Sequence, residues 1–250
     1  MNVLEFDIGN SRIKWRFLEP GQNRITAQST AKTVEELLAS SLTTLSPDLI
    51  RVANVRADDS LALLTDFSLE KWQIQPVIAQ VSQECGGVRN GYGDISRMGV
   101  DRWLAMLAAY NEFHSAALVV DGGTAFTLDL LDGNGQHLGG YILPGLSLME
   151  SALQANTAIR LQDSAGVADT SPGRITEAAV RNGCLGSVVA LIEKNLDSMQ
   201  RSNSEVILIL GGGDAGILLE ALQIDGVTSV ELRSDLVLDG LAIACPVGET

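Results

Sequence analysis

With 250 residues, 46% of them apolar, the chain has enough material for one large domain or two modest ones built on a buried core. Its 31 acidic residues outnumber 17 basic ones, and the net charge of -14 excludes nucleic acid held by general electrostatic attraction, although a local pocket of backbone amides can still take a small anion. Cys85, Cys184 and Cys245 are too few and too scattered for a disulfide framework or a zinc site, "MNVLEFD" lacks the parts of a leader, and no apolar run is long enough to span a bilayer, so a cytoplasmic protein without membrane contact is expected.

"NVLEFDI" and "RIKWRFL" are short runs of β-formers, and in the second Ile13, Trp15 and Phe17 alternate with Arg12, Lys14 and Arg16. They predict a hairpin with one buried face and one polar face. "TVEELLASS" predicts a helix capped by Thr33 with Glu36 three positions on, "DLIRVANV" a buried strand and "DDSLALLTDFSLEKW" a second helix. Residues Gln80 to Met98 are glycine-bearing and irregular, the mark of a functional loop, and "VDRWLAMLAAYNEF" follows with helical spacing.

The second half opens on "AALVVDGGTAFTLDLLDGNGQHLGGYILPG", three strands joined by glycine turns. It repeats the start of the chain: Asp7-Ile8-Gly9-Asn10-Ser11 is matched by Asp121-Gly122-Gly123-Thr124-Ala125, and Gly21-Gln22 and Gly135-Gln136 stand at the same offset from the two aspartates. An internal duplication is expected, with lobes over 1–115 and 116–250. Helices from about Pro144 to Asn156 and Thr176 to Met199, the strand "EVILIL", the turn and helix of "GGGDAGILLEAL", the strand "VTSVEL" and the helix of "SDLVLDGLAIAC" complete the chain. The expected fold class is α/β, two similar lobes with a cleft between them.

Asp-Gly-Asn-Ser is what any turn prefers, so one such hairpin says little. Two copies say more. Glycine at the bend lets backbone amides come close to a phosphate, Asn10 and Ser11 add side-chain donors, and Asp7 can hold Mg2+ directly or through water. Lys14 and Arg16 either reach that phosphate or form an ordinary solvated face. Gly211-Gly212-Gly213 follows a strand and precedes a helix without the order of a Walker A or dinucleotide loop. Tyr92, flanked by glycines in "NGYGD", favours a ligand or partner surface over the core, Asp129 suits an exposed strand position or a metal equally, and His114 and His137 read as structural or surface residues.

In order and spacing, "DIGNSRIKW", "GYGDISRMGVDRW", "DGGTAFTLDLL" with "GGYILPGLSLM", and "GGGDAG" resemble type III pantothenate kinases, of the acetate and sugar kinase/Hsp70/actin superfamily. The resemblance runs over essentially the whole chain, and Gly99-Val100-Asp101-Arg102 ahead of Asp121 is its most diagnostic part. It implies two lobes of ribonuclease H-like (actin-like ATPase) fold with a central nucleotide cleft. The activity it implies is ATP-dependent phosphorylation of pantothenate to 4'-phosphopantothenate, the first committed step of coenzyme A synthesis. By resemblance Asp7, Ile8, Gly9, Asn10, Ser11, Arg12, Ile13 and Lys14 hold ATP phosphates and Mg2+, Thr124 also contacts ATP, and Asp121 places a monovalent cation, K+ or NH4+. Tyr92, Gly99, Val100, Asp101 and Arg102 line the pantothenate pocket with Asp101 as general base. Thr176 touches pantothenate across a homodimer interface.

Physical chemistry agrees with those roles. Phosphoryl transfer passes through a loose transition state, so a carboxylate can orient the alcohol and take its proton late, while an arginine fork beside it matches the carboxylate of pantothenate. Two departures from the usual family pattern stand out: Ser11 replaces the commoner threonine and keeps the hydroxyl, and Gly122 enriches the second turn in glycine. A regulator resembling the Bvg accessory factors, a kinase for another acceptor and an actin-like assembly protein are the competing readings. An acidic chain without a helix-turn-helix argues against the first, Arg102 against a neutral sugar as acceptor, and short length against the third.

Overall fold

The structure, a computed structural model, describes residues 1–19, 24–162, 168–202, 205–223 and 229–246. The Gly21-Gln22 turn and the first two residues of "VTSVEL" lie outside them.

Ten strands form two five-stranded sheets, one in each of two compact units. The first sheet holds β1 (Val3–Ile8), β2 (Ile13–Glu19), β3 (Arg24–Ala31), β4 (Leu49–Asn54) and β5 (Val77–Ile78) in the order β3-β2-β1-β4-β5. The second holds β6 (Ala116–Gly122), β7 (Ala125–Leu131), β8 (His137–Pro144), β9 (Val206–Gly212) and β10 (Ser229–Leu232) in the order β8-β7-β6-β9-β10. In each, three antiparallel strands are followed by two parallel ones, so order and direction are the same twice over. This is the ribonuclease H-like lobe, and the repeat read from the Asp-x-Gly turns extends to the whole sheet. The two turns differ by one residue: Ile8 pairs with Ile13 across Gly9 to Arg12, whereas Gly122 pairs with Phe126 across Gly123 to Ala125.

Seven α-helices accompany them among the described residues: α1 (Val34–Leu38), α2 (Ser60–Trp72), α3 (Val100–Phe113), α4 (Leu146–Asn156), α5 (Thr176–Gln200), α6 (Ala215–Ala221) and α7 (Leu236–Ala244). Thr33 caps α1 as expected, its hydroxyl accepting from the Glu36 amide at 3.2 Å, while the Glu36 carboxylate takes the Lys32 amide at 2.8 Å. α1 and α2 cover one face of the first sheet, burying Leu4, Phe6, Ile8, Ile50 and Val52 with Val34, Leu37 and Leu64. In the second unit α5 and α6 do the same for Leu118, Val120, Leu208 and Leu210.

The units do not follow chain order. The first comprises 1–86, 92–108 and 235–250, the second 87–91 and 109–234, so the last helix belongs with the first sheet rather than with the 116–250 segment where the chain order puts it. α7 packs on β1 and β4, and its Gly240 lies so close to the α3 backbone that a Cβ there would sit 2.2 Å from the Leu104 oxygen. β3 was not legible in advance: Arg24–Ala31 is an edge strand whose side chains beyond Arg24 are mostly exposed, so no apolar alternation marks it.

α7 also corrects the reading of Arg16 as part of a solvated face or as a side chain that reaches a phosphate. Glu5, Arg16 and Arg51 stand in one row across β2, β1 and β4, and all three are buried. Glu5 divides its carboxylate between Arg16 Nε at 2.7 Å and Arg51 at 3.0 Å, and Asp239 of α7 adds a second carboxylate to Arg16. Burial pulls the Arg16 pKa down, but the charges and hydrogen bonds of Glu5 and Asp239 outweigh it and leave the pKa raised. Arg16 is therefore committed to structure. All three thiols are free; Cys184 and Cys245 are buried, Cys85 is half-buried, and burial is the main cause that raises their pKa values.

Removing Glu5 leaves two guanidinium groups without the carboxylate that joins them. Glu5→Ala should lower unfolding free energy by about 3–5 kcal/mol, read as a shift in the urea midpoint, because breaking a buried charge pair strands its partners. A midpoint within error of wild type would show that the row adds nothing to the fold.

Candidate active site

The sequence-derived site residues divide between the units. Asp7 to Lys14, Tyr92 and Gly99 to Arg102 belong to the first, Asp121, Thr124 and Thr176 to the second.

In the first unit, β1 and β2 stop pairing after Ile8 and Ile13, and the turn closes with the Gly9 amide donating to the Arg12 carbonyl at 3.1 Å. Ile8 and Ile13 are fully buried, so they can meet a ligand only through their backbone, whereas Asn10, Ser11 and Arg12 are exposed. Asp7 and Lys14 face one another in the ladder just beneath the turn, and Lys14 Nζ lies 4.0 Å from Asp235. A ligand bound at this turn would therefore meet the side chains of Asn10, Ser11 and Arg12, with one carboxylate and one ammonium below them.

α3 places the second group. Its first turn closes as the Trp103 amide donates to Gly99 at 3.0 Å, and Asp101 Oδ1 accepts the Arg102 amide at 2.8 Å, a carboxylate on the positive end of the helix. Gly99 leaves room for this carboxylate, because a Cβ would stand 2.6 Å from Asp101 Oδ1 and push it aside. Arg102 is 5% exposed and donates from Nη1 to the Tyr92 hydroxyl at 2.8 Å, its guanidinium carbon 5.7 Å from the ring centroid. Tyr92 is thus neither core nor free loop: it is held by the arginine ten residues on, a contact that sequence spacing does not announce. Val100 is partly exposed beside them.

In the second unit three glycine-bearing segments meet at the turn from Asp121 to Ala125. Gly212 has φ +81°, and a Cβ on it would lie 2.3 Å from both Asp121 Oδ1 and the Gly122 oxygen. The Asp214 amide donates to the Gly122 carbonyl at 2.9 Å, and burial raises the Asp214 carboxyl above its ordinary pKa. Gly145, which caps α4, donates to the Thr124 carbonyl at 2.9 Å, and a Cβ there would come within 2.0 Å of the Gly123 oxygen. Of the triple glycine, read from sequence as a bare strand-to-helix turn, Gly212 is the residue beside which the Asp121 carboxylate lies. Asp214 and Gly145 were missed; "GGGDAG" and "PGLS" contain them, but only the fold brings them to the second hairpin. Thr176 opens α5 and is exposed next to Ile175, itself 55% exposed.

Asp129 is not an exposed strand residue. It is 2% exposed and 3.0 Å from His137 Nε2, which is equally buried, so both serve the interior of the second sheet. Among the described residues no three His, Cys, Asp or Glu side chains converge at metal-binding spacing. A divalent cation here would depend on one or two carboxylates together with nucleotide phosphates, which is how Mg2+ commonly sits.

A profile of type III pantothenate kinases matches residues 3–198. Type III pantothenate kinases of Pseudomonas fluorescens and Ectopseudomonas mendocina are 38% and 39% identical to the chain, each alignment covering 98% of it and 99% of the relative. Among solved structures, a Campylobacter jejuni protein assigned to the Baf family of transcriptional activators aligns over 95% of this chain and 94% of its own, with TM-score 0.59 and 20% identity. The ethanolamine utilization protein EutJ of Carboxydothermus hydrogenoformans aligns over 98% and 90%, with TM-score 0.52 and 11% identity, a likeness of fold alone.

Two adjacent glycines of the second unit should respond differently to alanine. Gly212→Ala should lower stability by about 2 kcal/mol or more, from positive φ and collision with Asp121, while Gly213→Ala, with nothing within 4 Å, should stay within about 0.5 kcal/mol of wild type. Urea unfolding of both variants checks the contrast; equal effects would mean that Asp121 does not rest on Gly212.

Proposed function

The chain belongs to the type III pantothenate kinases, and from that premise we propose how its own residues carry out the reaction. It is a kinase that transfers the terminal phosphoryl group of ATP to pantothenate, in the presence of a divalent metal ion. In our reading that ion is Mg2+, held by Asp7 together with the nucleotide phosphates, where it would neutralise charge on the transferring group. The turn from Gly9 to Arg12, with Asp7 and Lys14 beneath it, takes the phosphates; Ile8 and Ile13 take part through backbone only. Thr124 contacts the nucleotide from the second hairpin. Asp121, beside the carbonyl-rich turns at Gly122 and Gly212, suits a monovalent cation, K+ or NH4+, since such ions take oxygen ligands.

The observation that carries the acceptor side is the join of Asp101, Arg102 and Tyr92 at the start of α3. A buried guanidinium fixed on the Tyr92 hydroxyl keeps its fork in place for the pantothenate carboxylate, while Gly99 keeps the space beside Asp101 open. Asp101 then needs only to orient the primary hydroxyl and accept its proton as the bond to phosphorus forms. Thr176 completes the acceptor pocket of a second copy in a homodimer. Exposed Leu138, Tyr141, Ile142, Leu148 and Ile175, on β8, α4 and the residue before α5, support an apolar interface of that kind.

Asp101→Asn should lower kcat by about 10²–10⁴-fold, the usual share of a general base, and leave KM for ATP within twofold. Arg102→Lys should raise KM for pantothenate more than it changes kcat, because an ammonium cannot replace the fork. Steady-state rates of ADP release with each substrate varied separately check both. An Asp101→Asn enzyme as fast as wild type would remove that residue from its role.

A further inference from the structure

Behind the Gly9 turn stands a cation that neither the duplication nor the family motifs single out. Arg56 follows β4 and donates from Nε to the Gly9 carbonyl at 2.6 Å and from Nη2 to the Lys32 carbonyl at 3.2 Å. Its own position is fixed twice. The Val55 amide donates to Ile8 at 3.1 Å, and Asn54 clasps the residue two on, its Oδ1 accepting the Arg56 amide at 3.2 Å while its Nδ2 donates to the Arg56 carbonyl at 3.0 Å. Both hydrogen-bond partners of the guanidinium are neutral carbonyls, and its charge is felt by the Asp58 carboxyl two residues on, which hydrogen bonds from Ser60 and, less strongly, this charge hold below the ordinary carboxylate range.

Gly9 C=O and Asn10 N–H belong to one trans peptide, and in such a unit the two groups point in opposite directions. Holding the oxygen on Arg56 therefore turns the Asn10 amide away from Arg56, on a turn where residues 10 to 12 are exposed. The cation also polarises the peptide, which strengthens the amide as a donor. Two carbonyls from different segments are met at once, and that needs the planar fork of arginine rather than the point charge of lysine. We propose that Arg56 is a positioning residue for the nucleotide: it sets the Gly9–Asn10 peptide so that the Asn10 amide receives a phosphate oxygen, and adds positive charge behind the turn. The inference rests on the reading of this turn as the ATP phosphate site.

The test compares wild type with Arg56→Ala, Arg56→Gln and Arg56→Lys, by kinetics with ATP and pantothenate varied separately and by thermal melting with and without MgATP. All three variants should raise KM for ATP, by tenfold or more in Arg56→Ala, and shrink the ATP-induced rise in Tm, with KM for pantothenate within twofold. Arg56→Lys should stay closer to Arg56→Ala than to wild type, and guanidinium ion at millimolar concentration should lower KM for ATP in Arg56→Ala alone. Unchanged KM for ATP, or both KM values and the ligand-free Tm shifting together, would overturn the proposal. If wild type releases no ADP on adding pantothenate, the acceptor reading fails, while the ATP-induced Tm shifts still decide the role of Arg56.

Discussion

A β-ladder satisfies its peptide groups only as far as the strands run, and where β1 and β2 part at Gly9 the backbone must find other partners. That constraint organises the first unit. Below the turn, Ile8 and Ile13 are sunk in the core and hold the ladder to its last pair. Above it, the Gly9 amide closes the turn on Arg12 and the Gly9 carbonyl goes to Arg56, leaving exposed residues to meet a ligand. β6 and β7 meet the same constraint one residue sooner, and there the turn is closed by Gly123 on Ala125 and steadied by Gly145 on Thr124. One strand plan, used twice, ends in two chemically different turns: the first carries polar side chains and the cationic Arg12, the second glycine and main-chain oxygen.

Rigidity around the first turn comes from an unexpected source. Glu5 lies two residues from Asp7 on the same strand and face, and its two arginines tie β1 to both neighbours. α7 closes this face with Asp239 on Arg16 and brings Asp235 towards Lys14, so the far end of the chain supports the first hairpin. A buried charge row is a weak source of net stability, since desolvation takes back much of the attraction, but it tolerates few alternative registers. For the phosphate site proposed at this turn, whose donors would be main-chain amides, register is the property that matters.

Elements with a sustained apolar period were legible in the residues: α3 and α5 begin at the residues expected, and β1, β4, β6 and β9 stand where apolar runs announce them. β3 was not, because an exposed edge strand such as "RITAQSTA" carries no alternation. Arg16 on β2 was misread for a related reason: whether a polar side chain meets water depends on what packs there, and α7 arrives from more than two hundred residues away. Asp129 and His137 show the same limit, since two polar side chains on neighbouring strands can satisfy one another inside. Within the candidate site, residues joined by local sequence, Asp7 to Lys14 and Gly99 to Arg102, are proposed from motif. Those joined only by folding, Arg102 with Tyr92, Asp121 with Gly212, and Arg56 with Gly9, could not be found in that way.

The account comes down to one claim, that a carboxylate at the head of α3 directs a primary alcohol to the terminal phosphorus of ATP. Phosphorus NMR of the product formed from MgATP and pantothenate tests it most directly, because pantothenate offers both a primary and a secondary hydroxyl. The account predicts a single phosphate ester on the primary oxygen, formed in step with ADP. ADP released without an ester, or an ester on the secondary oxygen, would contradict it.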